Sequence, residues 1–268
     1  MRVAKTTFKD LLASGRQILA TFLQIPAPEM AEIVGCAGFD AGIVDGEHGM
    51  LTLDAARQIF RACDAVGLVP VFRVPRLDHQ GIGHALDMGA SAIMVPNITS
   101  RDQAEQAVRA AKFHPRGDRG ICPFTRAARY DAADSDPDFY GRSNRETAVI
   151  LQVEGLEGLE NLESILEVPD VACIFVGPFD LSQSLGIPGQ VTDERVLSAI
   201  RRIVNLADRK GVAVGNFAID HGQAQRCLDM GVRLMAFASD TLIVTRAFKQ
   251  LRKDLVSLTH REHEPARG

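Results

Sequence analysis

The chain has 268 residues, a formal net charge of −4 and 46% hydrophobic residues. One (β/α)₈ barrel takes about 250 residues, so a single domain with a large core fits this length. The basic residues are scattered, which excludes a nucleic-acid footprint, and no apolar run is long enough to cross a membrane. MRVAKTTFKD at the start has no apolar stretch of the signal-peptide kind, so the expectation is a cytoplasmic protein. Five cysteines, Cys36, Cys63, Cys122, Cys173 and Cys227, form no CxxC pair. They read as small buried fillers in a reducing compartment, against a disulfide framework or a zinc cluster.

Apolar runs alternate with helical patterns along the chain. The predicted strands are Ile18–Leu23, Ala41–Asp45, Pro70–Val74, Ala92–Val95, Val149–Val153, Ala172–Val176, Val212–Gly215 and Leu234–Ala238. They are short and almost wholly apolar, as parallel strands covered on both faces are. Amphipathic stretches such as Ala55–Val66, Ala104–Lys112 and Arg195–Arg209 lie between them. LDMGA at 86–90 and LDMGV at 228–232 each lead into a strand, with the glycine ending a helix. This alternation means βαβ units, and no Gly-rich fingerprint follows the first strand, which favours a closed barrel over an open doubly wound sheet. Residues 1–260 are therefore one barrel domain and 261–268 a tail. The long polar segment at about 114–147 follows the fourth strand and its helix. It is expected to form a lid over the catalytic end, or a subunit contact.

Catalytic residues of such barrels sit where strands end. The second predicted strand ends in IVDGEHG (Asp45, Glu47, His48), the third in FRVP (Arg73), the fifth in LQVE (Gln152, Glu154) and the sixth in VGPFD (Gly177, Pro178, Phe179, Asp180). Each has a plainer role open to it: Asp180 as a turn cap, Arg73 as a structural ion-pair partner, His48 as a loop histidine. Converging on one mouth they make a coherent set. Glu154 and Asp180 are hard oxygen donors suited to Mg²⁺ or Mn²⁺, with Co²⁺ a further option. Arg73 offers a planar fork of donors for a carboxylate or an enolate. The N–H groups beyond Gly177 suit a carboxylate. Lys5, Lys9, Lys112, Lys210, Lys249 and Lys253 all lie away from strand ends, which disfavours Schiff-base chemistry.

These stretches resemble the HpcH/HpaI aldolase family. The matching segments are GFDAGIVDGEHG (38–49), FRVP (72–75), LDMGASAIMVPNITS (86–100), RG (119–120), ILQVEGLEGLENLESIL (150–166) and IFVGPFDLSQSLGIPG (174–189). The resemblance implies a (β/α)₈ barrel catalysing reversible, metal-dependent cleavage of 4-hydroxy-2-oxo acids to pyruvate and an aldehyde. It implies that Glu154 and Asp180 hold the metal and that Arg73 stabilises the pyruvate enolate. His48, oriented by Asp45, is the implied acid/base. Gln152 lies near the keto group, and backbone amides around the turn of Gly177, Pro178, Phe179 and Asp180 receive the carboxylate. It also implies a homo-oligomer, a hexamer, with the last helix exchanged between barrels. Phe179 and the segment CPFTRAARY (122–130) depart from the family pattern and are expected to shape the aldehyde pocket. Two alternatives stand beside this reading: a lyase acting on a CoA thioester, which shares the Arg, Glu and Asp arrangement but lacks the Glu-His-Gly signature, and a barrel that only binds 2-oxo acids.

Overall fold

The computed structural model describes residues 5–49 and 51–261. A short helix α1 (Phe8–Ala13) precedes β1 (Ile18–Leu23). There follow α2 (Pro28–Cys36), β2 (Ala41–Asp45), α3 (Leu53–Val66), β3 (Val69–Arg73), α4 (His79–Met88), β4 (Ala92–Val95) and α5 (Arg101–Ala111). The short helices α6 (Ala132–Ser135) and α7 (Phe139–Glu146) intervene before β5 (Ala148–Val153). Next come α8 (Leu156–Glu160), α9 (Leu162–Leu166) and β6 (Val171–Val176), then α10 (Pro178–Ser184), α11 (Glu194–Arg209) and β7 (Ala213–Ala218). Helix α12 (His221–Asp229), β8 (Leu234–Ser239) and α13 (Asp240–Arg261) complete the described chain. The strands pair in sequence order, all parallel, and β8 returns to β1, closing the barrel.

Local signals explain the alternation. Thr52, Asp78 and Ser100 each cap the helix that follows by accepting a backbone N–H. Gly89 and Gly231, the glycines of the two LDMG stretches, both adopt positive φ where the chain leaves a helix for a strand. Strand β7 runs on past Gly215 to Ala218. Asn216 breaks the apolar run, yet it is fully buried on the helix-facing side, so composition alone stopped that strand too early.

The period-two alternation of each strand sorts its side chains into two cores. Outward residues such as Val44, Phe72, Ile93 and Ile174 pack against the helix layer. Inward residues form layers inside the barrel: Ile18, Ala41, Val69 and Ala92 near the strand starts, then Ala20, Ile43, Val71 and Ile150. Phe8 and Leu11 of α1 join this inner cluster, so α1 stoppers the end where strands begin. Continued by two residues, the same inward files carry Phe22, Asp45, Arg73, Gln152, Phe175 and Phe217. The barrel interior thus turns from aliphatic to functional at its carboxyl end.

The long segment after α5 is not a lid over that end. Helix α5 first carries the chain back to the end where strands start, and the segment packs there. Ala127 N–H donates to Asp87 O at 3.1 Å, Arg126 reaches Met88 O at 3.2 Å, and Arg119 pairs with Asp87 at 2.6 Å. Phe124 is 70% exposed and neighbours Arg57, Arg61 and His84, far from the strand ends that carry the candidate site. The expectation that the 122–130 stretch shapes the aldehyde pocket of its own barrel is therefore corrected; the helix preceding it decides which end it covers. The tail expected at 261–268 lies, beyond Arg261, outside the described residues.

Lys112, at the end of α5, is fully buried, and its ammonium donates to Asn144 O at 2.7 Å and Thr147 O at 2.6 Å. Burial pushes this amine down to about 7, aided by the charges of Lys9 and Arg116 and opposed by Asp170; the two carbonyls favour the charged form. Between that value and the unfolded one near 10.4, the unfolded chain binds a proton that the folded chain has released. Folding is thus penalised below about pH 7 and the penalty is relieved as pH rises. The urea midpoint of the wild type relative to Lys112→Met should shift in favour of the wild type between about pH 7 and pH 9. A difference that stays constant over that interval would mean the amine remains charged.

Candidate active site

A cavity of about 320 Å³ opens at the carboxyl end of the barrel, and Arg73, Gln152, Gly177, Asp180 and His48 contribute polar groups to its lining. Phe22, Phe175, Phe217 and Phe179 contribute aromatic surface. The predicted strand-end residues thus meet in one place, contributed by β2, β3, β5 and the turn after β6.

Strand register builds the centre. Asp45 and Arg73 are direct partners in the β2–β3 ladder. Asp45 accepts from Arg73 Nε at 2.9 Å and from Nη2 at 2.8 Å, a planar bidentate pair. The Asp45 side chain is fully buried and that of Arg73 only 8% exposed. Burial raises the Asp45 carboxyl, but Arg73 outweighs it, with Gln24 Nε2 at 2.9 Å and the His48 N–H at 3.1 Å assisting, and the group is held below the usual carboxylate range. The guanidinium also lies over the Phe22 ring, 4.7 Å from its centroid.

This geometry corrects one expected role. Asp45 does not meet the His48 ring; its two oxygens are taken by Arg73, Gln24 and the backbone N–H groups of Glu47 and His48. The carboxylate beside the imidazole is Glu47, with Oε2 at 3.9 Å from His48 Nε2 and at 3.0 Å from Arg73 Nη1. The physical reason is alternation: Asp45 points into the barrel along its strand, whereas His48 stands in the turn beyond, with its side chain 62% exposed at the mouth. Burial pushes the Glu47 carboxyl up; Arg73 opposes this and the Glu154 charge adds to it.

Glu154 follows β5 immediately. Its Oε1 accepts from Asn97 N–H at 3.0 Å, and its Oε2 accepts from Gln152 Nε2. Asn97 has a φ of +55°, a left-handed conformation that aims its amide at the carboxylate and that Asn tolerates better than most residues. Burial raises the Glu154 carboxyl, and the neighbouring Asp180 charge raises it further against the two hydrogen bonds. Gly177 is required by the same crowding, because a Cβ there would sit 2.4 Å from Glu154 Oε2. Asp180 stands exposed in the first turn of α10, whose leading amides have no intrahelical acceptor.

The Asp180 charge is close enough to oppose the ionisation of Glu154, and Glu47 adds a third carboxylate to the same mouth. A divalent cation relieves that repulsion, and Gln152 Oε1 is a buried acceptor without a partner. Among the described residues no group of three or more His, Cys, Asp or Glu side chains is placed to hold a metal ion. The donor set therefore fits a hard cation held by two carboxylates, with its remaining positions left to water and ligand oxygens, as Mg²⁺ is commonly bound. Glu47 was noted at the strand end, in the DGEHG turn, but was given no role. Gln24 and Asn97 were not among the sequence-derived site residues; they act through strand register and backbone conformation, which sequence does not display.

The HpcH/HpaI aldolase/citrate lyase family model matches residues 19–247. A hydroxypyruvate/pyruvate aldolase of Deinococcus radiodurans is 35% identical over 260 residues, which cover 97% of this chain and 93% of that one. A 2-keto-3-deoxy-L-rhamnonate aldolase of Salmonella gallinarum is 33% identical over 241 residues, 90% and 89% of the two chains. A solved family member from Burkholderia cenocepacia superimposes with a TM-score of 0.87 at 33% identity, covering 92% of this chain and 97% of its own. The chain belongs to the HpcH/HpaI aldolase/citrate lyase family and is a carbon–carbon lyase.

Proposed function

We propose that this chain is a metal-dependent pyruvate aldolase that cleaves 4-hydroxy-2-oxo acids reversibly to pyruvate and an aldehyde. The observation that carries the reading is the convergence on one cavity of a buried, carboxylate-oriented Arg73, Asp180 and an imidazole at the rim, with Glu154 bonded to the lining Gln152 and within the field of Asp180. A bound Mg²⁺, Mn²⁺ or Co²⁺ held by Glu154 and Asp180 supplies Lewis-acid polarisation of the 2-oxo acid.

The chain's own residues do the rest. Asp45 and Glu47 hold the Arg73 guanidinium rigid, and it faces the oxygen on which negative charge develops as the C3–C4 bond breaks. Gln152, fixed by its bond to Glu154, stands beside the keto group. The free amides after Gly177 receive the carboxylate, with Pro178 setting the first turn and Phe179 walling it. His48 takes the proton from the C4 hydroxyl in cleavage and returns it in synthesis, with Glu47 beside it. No step calls for a lysine imine: Lys112, the one lysine fully buried among the described residues, is bonded to carbonyls at the opposite end of the barrel. A reducing, cytoplasmic setting suits the five free thiols. Among the described residues no helix is long and apolar enough to cross a membrane.

We also infer a homo-oligomer, a hexamer in which α13 is exchanged between barrels. Ile243, Phe248, Leu251, Leu255, Val256 and Leu258 are all exposed along α13, an apolar face a lone chain leaves in water. Leu19 and Ile33 are exposed on the barrel wall. Light scattering after size exclusion should give a multiple of 29.1 kDa that falls when Phe248 and Leu255 are changed together to Glu. A monomeric wild type would refute the assignment.

Glu154→Gln and Asp180→Asn should each remain folded, bind Mn²⁺ weakly in a paramagnetic titration, and cleave at a background rate. Full activity in chelator-treated wild type would rule out the metal-dependent scheme. The two halves of the reaction separate in a second pair of variants. His48→Ala should lower aldol cleavage by about 10²–10⁴-fold, the usual worth of a general base, while exchange of pyruvate methyl protons with deuterated water falls much less. Arg73→Ala should depress both, because both pass through the enolate. Near-normal cleavage by His48→Ala, followed by proton NMR, would assign the base to another group.

A further inference from the structure

The cavity lining combines polar groups with four phenylalanines. The rings form a continuous ladder from the interior to the mouth. Phe175 meets Phe22 edge-to-face with centroids 6.1 Å apart, Phe22 meets Phe217 at 5.5 Å, and Phe217 meets Phe179 at 6.1 Å. Phe175 and Phe22 are buried, Phe217 is half-buried, and Phe179 is 39% exposed, so apolar ring surface grows more accessible toward the rim. The rings come from β6, β1, β7 and α10; Phe22 also carries the Arg73 guanidinium and Phe179 adjoins the Gly177–Asp180 turn, so the ladder borders the polar groups directly.

Charge and hydrogen bonding along the same cavity are largely committed, and what is left, Gln152 Oε1 and the amides after Gly177, belongs to the oxo-acid half. Among the described lining residues Arg73 is the one permanent cation, and Asp45 and Glu47 hold it. Glu47, Glu154 and Asp180 make the surroundings negative. Gln24 donates to Asp45 and accepts from Thr241 at 2.9 Å, and Ser239 pairs with Thr241 at 2.8 Å. An aldehyde bearing a second carboxylate would find no free cation there, and one bearing several hydroxyls would have to break existing bonds to be satisfied.

We infer that the aldehyde taken and released by this chain is uncharged and apolar, aromatic or branched aliphatic, and that Phe217, flanked by Phe22 and Phe179, is the residue that selects it. The inference rests on the pyruvate aldolase reading above. In the synthetic direction a proton leaves the pyruvate methyl carbon, that carbon bonds to the aldehyde carbon, and the aldehyde oxygen takes a proton, so no oxidant or reductant is needed. The side chain of the aldehyde lies against the ring ladder while the oxo-acid half meets the polar groups. At about 320 Å³ the cavity is near the lower limit for ligand sites, which suits pyruvate plus one compact ring.

The test uses the full-length protein with a divalent metal, pyruvate and three aldehydes: benzaldehyde, succinic semialdehyde and glyceraldehyde. Wild type should prefer benzaldehyde in kcat/KM by about tenfold or more, the worth of a well-matched apolar group. Phe217→Ala should lower addition to benzaldehyde by about 10–100-fold and addition to glyceraldehyde far less, and Phe217→Leu should retain most of the preference. Saturation-transfer NMR with benzyl alcohol, a non-reacting probe, should show binding to wild type that weakens in Phe217→Ala. A wild-type preference for succinic semialdehyde or glyceraldehyde overturns the inference, as does an equal loss for all three aldehydes in Phe217→Ala. Methyl-proton exchange of pyruvate without aldehyde tells the two readings apart. Exchange with the wrong aldehyde preference refutes the aromatic wall alone, whereas no exchange in wild type refutes the aldolase reading with it.

Discussion

The Asp45–Arg73 pair is the contact on which the rest of the site depends. The two residues are register partners on adjacent parallel strands, both pointing into the barrel and both shielded from water. A buried ion pair is poor evidence of net stability, because desolvating two charges costs about as much as their attraction returns. Removing one partner is another matter, since about 3–5 kcal/mol is lost when a charge is left buried alone. The pair therefore holds a guanidinium in one orientation, where a planar donor fork can face a developing oxyanion without reorganising. Phe22 beneath the cation and Gln24, donating to the Asp45 Oδ2 that also accepts from Arg73, remove the remaining freedom.

Around this fixed cation the mouth carries an excess of negative charge. Glu154 and Glu47 are both driven up by burial, with the Asp180 charge adding to the first and the Glu154 charge to the second. Two features hold the crowded carboxylates in place: the Asn97 amide, reached through a left-handed backbone, and Gly177, where a side chain would collide with Glu154. Strain and repulsion of this kind are tolerated where a ligand relieves them. The adjoining aromatic ladder supplies the complementary property, a surface with little left to offer polar groups. One barrel end thus combines a charged half-site with an apolar one, with the imidazole of His48 at the rim.

The sequence by itself determined the fold class, because eight short apolar runs separated by amphipathic stretches leave few arrangements other than parallel βαβ units. It also determined which residues could do chemistry, since charged residues at the ends of buried strands are costly and few. Asp45, Arg73, Glu154 and Asp180 were legible for that reason, Gln152 as a polar residue beside them, and the DGEHG and VGPFD stretches carried the family resemblance. The tertiary structure decided who partners whom. Strand register, not chain proximity, gave Asp45 to Arg73, and the turn beyond β2 kept Glu47 beside its chain neighbour His48. The direction of α5 sent the 122–130 segment to the opposite end of the barrel, a result of helix length and packing that no motif encodes. The inward alternation of β1, β6 and β7 brought Phe22, Phe175 and Phe217 into one ladder, although they lie far apart along the chain and each alone reads as an ordinary core residue. Identity of side chains is local information; register, direction and closure are set only when every strand has found its neighbours.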